Sequence, residues 1–109
     1  MKIVLAIVND DDSKTLSVGL TRAHFFATKL STTGGFLKAG NTTFLIGTED
    51  EKVDEVIQII SQYSRKRTEK VSAAAVYGMD MFDVAAMPVE VTVGGATVFV
   101  IPVERFEKL

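Results

Sequence analysis

The stretch Asn41-Thr42-Thr43-Phe44-Leu45-Ile46-Gly47-Thr48-Glu49-Asp50-Glu51 decides the fold class. Asn41 to Ile46 is rich in Thr, Phe and Ile, which suit a pleated, half-buried strand. Thr48 and Glu51 then place a hydroxyl and a carboxylate three residues apart, the pattern of a helix-capping box. Val53, Val56, Ile57 and Ile60 follow at i, i+3, i+4 and i+7, a single apolar helical stripe. A strand therefore gives way to a helix, and Arg65-Lys66-Arg67 reads as a solvated basic end to that helix.

Upstream, Ile3-Val4-Leu5-Ala6-Ile7-Val8 reads as a buried strand. It is too short for a signal-peptide core, and no stretch is long enough for a membrane span. Asp11, Asp12 or Ser13 can cap a first helix, whose face carries Leu16, Leu20 and Ala23. Phe25 to Thr33 alternates like a strand, with Phe26, Thr28, Leu30 and Thr32 on one side, until Gly34-Gly35 interrupts. Downstream, Thr68 to Met87 has no firm period and reads as a long flexible loop. Val89 to Val93 alternates, Gly94-Gly95 turns, and Thr97 to Ile101 forms a last strand before Pro102, which together read as a hairpin.

The order implies one α+β domain over residues 1–109, ferredoxin-like (βαββαβ), with an extra C-terminal hairpin strand and a long loop at about 68–87. Two helices should cover one face of an antiparallel sheet. The continuous apolar runs at 3–8, 44–46 and 98–101 call for cover on the other face as well, and a second copy of the chain would supply it. Composition agrees: 47% of the residues are hydrophobic in a chain of 109, a large share for so small a domain.

The same composition narrows the function classes. The chain has no cysteine, so it offers neither disulfides nor a thiolate metal site. One histidine, His24, reads as an ordinary histidine with no second ligand or nucleophile beside it. Asp10, Asp11 and Asp12 lack the spacing of a cation loop and read as cap and turn. A net charge of −2 argues against a nucleic-acid partner. No catalytic triad, metal box or carboxylate dyad stands out, so the expectation is a non-enzyme without cofactor or metal, in the cytoplasm.

Ala27 to Thr43 is the segment with chemistry in it. It gathers three glycines, five threonines, Asn41 and two lysines around Phe36-Leu37. Glycines let backbone approach a ligand, Phe36 can stack on a flat ring, and Asn41 can both donate to and accept from a base edge. A long hairpin turn explains the same glycines. No Gly-Lys-Ser/Thr follows, so it is not a Walker A loop. Met79, Met81 and Phe82 read either as an adaptable apolar flap for a partner or as packing beneath the loop.

Ala27 to Phe44, the following Gly47, Pro88 to Val103 and the opening Ile7 to Ser13 together resemble the PII-like cyclic di-AMP receptor proteins. The resemblance implies a homotrimeric, cytoplasmic, bacterial signalling protein without catalytic activity. It would bind cyclic di-AMP between subunits and signal to a protein partner through its long loop. By matching position, Thr28 would bond the ligand, and Gly35, Phe36 and Leu37 would line the adenine site. Asn41 would bond an adenine edge, Gly47 would permit close approach, and Phe99 would form a wall. The family's usual Asn-x-Arg is replaced here by His24-Phe25-Phe26. An apolar ring thus stands where a guanidinium would face the ligand, and Phe26 would stack on adenine instead. That departure motivates an alternative, a receptor for another adenine nucleotide such as AMP or ATP. A subunit that docks a partner without any small ligand is the other alternative.

Overall fold

A computed structural model describes residues 1–30, 40–72 and 88–109. The elements are β1 (Lys2–Asn9), α1 (Asp10–Arg22), β2 (Ala27–Leu30), β3 (Asn41–Thr48), a 3-10 turn (Asp50–Lys52), α2 (Val53–Tyr63), β4 (Arg67–Ser72), β5 (Pro88–Val93) and β6 (Ala96–Pro102). A four-stranded sheet has the order β2-β3-β1-β6, and β4 and β5 form a separate two-stranded ribbon. Every described pairing is antiparallel.

The core follows from alternation along β1. Val4, Ala6 and Val8 are buried, and their partners across the ladder, Phe44 and Ile46, are buried with them. Residues opposite one another share a face, so this is the face the helices cover. Leu16 and Leu20 of α1 and Val56 and Ile60 of α2 close over it. The apolar stripes of both helices thus do what their spacing requires. The helices meet closely at Gly19, where an added Cβ would lie 2.4 Å from the Tyr63 ring.

The other face of the sheet is open. Ile3, Leu5, Ile7 and Leu45 are half-buried on it, while Phe99 is 52% and Ile101 42% exposed. The reading of strands with apolar residues on both sides is correct, and among the described residues only one side is covered by helices.

Five local expectations need correction. The cap of α1 is Asn9, whose side chain accepts from the Asp11 amide at 2.9 Å, so the helix begins earlier than Asp11, Asp12 or Ser13 would allow. The capping box at Thr48 does not form: Thr48 is buried at the end of β3, paired with Lys2, and no side chain caps the 3-10 turn that follows. The Thr68–Met87 stretch is not all loop, because β4 runs to Ser72; residues 73–87, with Met79, Met81 and Phe82, lie outside the described residues. The hairpin across Gly94-Gly95 is not a ladder: β5 pairs with β4, and β6 pairs with β1. The reason is local. Gly95 N–H donates to the Ser64 carbonyl at 2.6 Å, which stitches the turn to the end of α2 and sends the two strands apart. β2 begins at Ala27, two residues later than the alternation from Phe25 implies, and residues 31–39 lie outside the described set.

Gly19→Ala is expected to lower unfolding stability by about 1–3 kcal/mol through overpacking against Tyr63. Urea denaturation measures it, and an unchanged midpoint would contradict the close helix contact.

Candidate functional site

Among the described residues, the open sheet face carries four of the sequence-derived contacts, Thr28, Asn41, Gly47 and Phe99. Thr28 lies opposite Leu45, which lies opposite Leu5, which lies opposite Phe99. Thr28 and Phe99 therefore share one row of that face, about 14 Å apart across three strand spacings. Gly47 is exposed, opposite Ile3 in the neighbouring row. A Cβ on Gly47 would meet nothing within 4 Å, so the chain by itself imposes no steric demand for glycine there. Asn41 stands at the opposite end of β3 from Gly47, roughly 20 Å away along the strand.

Among the described residues these do not gather in one hollow. Phe26 and Thr28 border a hollow of about 480 Å³ with Thr21, His24 and Phe25. Asn41 borders a different one of about 350 Å³ with Asn9, Lys66, Thr92, Gly95 and Thr97. Phe26 is 90% exposed, an extreme value for an aromatic ring. Its position follows from His24, which turns the chain out of α1 with φ +65°, a left-handed conformation uncommon outside glycine. Phe25 takes the inward place and is buried. Gly35, Phe36 and Leu37 lie outside the described residues.

Asn41 is held from both sides by the first turn of α1. The Asp10 amide donates to the Gly40 carbonyl at 2.8 Å, and the Asp10 carboxylate accepts from the Thr42 hydroxyl. Gly40 itself has φ +95°, where a side chain would be strained. Acidic groups suit this turn because the helix N-terminus is positive.

The same turn holds the β4–β5 ribbon. Arg67, the first residue of β4, donates to both oxygens of Asp12, at 2.9 Å and 3.2 Å, while its Nε reaches Glu69 at 3.4 Å. The Asp12 side chain is only 8% exposed. The hydrogen bond from Arg67 to Asp12 holds the guanidinium pKa above its ordinary value. Arg67 is therefore not part of a solvated helix end, and Asp12 is more than a helix-turn residue. Gly94, with φ +83°, lets the ribbon close here, since a Cβ would fall 2.3 Å from the Arg65 carbonyl and 2.7 Å from the Arg67 guanidinium.

Sequence reasoning missed Lys66, Arg67 and Gly95 as neighbours of the Asn41 region. The basic run and the double glycine were visible signals, but only the pairing of β4 brings them together. No cluster of three or more potential metal ligands occurs among the described residues, nor is any described helix long and apolar enough to cross a membrane.

A sequence profile of the cyclic-di-AMP receptor family matches residues 1–109. The chain belongs to that family. A crystal structure of a functionally unknown protein from Pediococcus pentosaceus ATCC 25745 is similar, with 46% sequence identity and a TM-score of 0.75. That match covers 99% of this chain and 96% of the other. The family match agrees with the resemblance carried by residues 27–44 and 88–103.

The Asp12–Arg67 pair makes an asymmetric prediction. Arg67→Ala leaves a buried carboxylate alone and should lower the melting temperature more than Asp12→Ala. The double variant should then melt close to Asp12→Ala. Simple additivity of the two losses would show that the pair does not act as a unit.

Proposed function

We propose that this family member is a cyclic di-AMP receptor that works as a homotrimer of ferredoxin-like, PII-like subunits. The ligand binds between neighbouring subunits, and the long segment at about 68–87 relays its presence to a protein partner. One observation carries the reading. Among the described residues, Thr28, Asn41, Gly47 and Phe99 lie on the open apolar sheet face, spread over more than one hollow. Apposed faces from separate subunits would bring such residues together, and would bury Phe99 and Ile101 at the same time. In this reading Thr28, Gly35, Phe36, Leu37, Asn41, Gly47, Phe26 and Phe99 form the site. The protein acts by binding in the cytoplasm, with no catalytic step and no further cofactor.

Phe26 favours a second reading, a receptor for AMP or ATP. Its exposed ring offers stacking, and its hollow contains no basic side chain other than His24. A mononucleotide needs one aromatic platform, whereas a cyclic dinucleotide presents two bases and two phosphodiesters.

Calorimetric titration with cyclic di-AMP, AMP and ATP separates the readings, and preference for the cyclic dinucleotide is expected. Absence of heat at near-millimolar cyclic di-AMP would overturn the receptor reading. Asn41→Ala should keep the trimer in light scattering and weaken binding about 2- to 10-fold, the worth of one hydrogen bond. Dissociation of the trimer would instead make Asn41 structural. Phe26→Arg should tighten cyclic di-AMP binding by restoring a charge-assisted bond, and an unchanged affinity would reject a ligand role for position 26.

A further inference from the structure

The hollow beside Asn41 is polar and carries one basic side chain. Its wall includes Asn9, Asn41, Lys66, Thr92, Gly95 and Thr97. Asn9 is committed to capping α1. Arg67, next in the chain, is committed to Asp12 and Glu69. Lys66 has no salt bridge or hydrogen bond among the described residues. The Asp10 carboxylate is engaged by Thr42, next to Asn41 in the chain.

The placement of Lys66 is built into the backbone. Gly95 has φ +84°, and a Cβ there would lie 2.9 Å from Lys66 Cγ and 3.2 Å from Cε. The aliphatic stem therefore lies along the bare face of a glycine. Such a stem packs while its ammonium stays in water at the mouth of the hollow. Gly95 is in turn pinned by its bond to the Ser64 carbonyl. A solvated lysine with a free stem would need no such arrangement. Lys66 and Asn41 thus line one hollow, a cation and an amide that can read a base edge.

We propose that Lys66 is the phosphate-binding cation of the Asn41 hollow, contacting a phosphodiester of the bound nucleotide while Asn41 meets its adenine. The proposal rests on the receptor reading above and adds to it the group that neutralises the ligand's charge. Lysine suits this task as a mobile point charge, and the fixed fork of arginine is not required.

The test is calorimetry of cyclic di-AMP on the wild-type trimer, Lys66→Gln and Lys66→Arg, each at several salt concentrations. Lys66→Gln should weaken binding about tenfold, as expected for loss of one charge-assisted contact at an exposed site. It should also flatten the dependence of affinity on salt. Lys66→Arg should retain both. Gly95→Ala should lose affinity in the wild-type background and little more when added to Lys66→Gln, because both act on one side chain. Wild-type binding with Lys66→Gln unchanged in affinity and salt dependence would overturn the assignment and leave the receptor reading standing. No binding by the wild type would overturn both.

Discussion

The first turn of α1 is the constraint on which the rest of the site depends. Asp10 fixes the chain on either side of Asn41 through Gly40 and Thr42. Asp12 fixes the root of the β4–β5 ribbon through Arg67. An ionised carboxylate as buried as Asp12 is tolerable only with a well-aligned partner, so the ribbon cannot leave its root without a cost. The two segments that differ most from a plain sheet-and-helix layer are thereby tied to one turn, two residues apart. In the proposed receptor, that proximity would let a ligand near Asn41 be felt at β4.

The energetics of the sheet point in the same direction. Its helix-covered face forms a closed apolar core, with Val4, Ala6, Phe44 and Ile46 excluded from water. Its other face leaves Phe99 and Ile101 about half exposed. Burial of such side chains stabilises an assembly by roughly 25 cal/mol for each Å² removed from water. In the proposed trimer that driving force and the ligand share one surface. Binding and assembly would then be linked, because the nucleotide would contact more than one subunit.

Much of the fold was legible in the sequence, for reasons that can be located. Leu16 with Leu20, and Val56 with Ile60, follow the helical period because each helix has one face on the core. β1 was legible as an apolar run. The Arg67–Ser72 strand was not, since Thr68, Glu69 and Lys70 are all exposed and a two-sided ribbon imprints no alternation. The capping box at Thr48 failed because pairing with β1 outbid a local preference worth about 1 kcal/mol. The partner of β5 was also hidden. Val89, Val91 and Val93 fit a ladder with either neighbour, and the bond between Gly95 and Ser64 that decides the matter joins residues far apart in sequence. Of the proposed site, Thr28, Asn41 and Phe26 come from the loop and its family resemblance. Lys66 was not legible, because its placement depends on the φ of Gly95 and on where β4 starts.

Hydrogen exchange read by mass spectrometry, on the wild-type chain with and without saturating cyclic di-AMP, tests the central claim most directly. The account predicts slowed exchange in two separate places: the segment around residues 28–46, and the ribbon root at 64–67 with 92–97. Slowing confined to the first segment would contradict a link between the ligand and the ribbon, and no slowing anywhere would contradict the receptor itself.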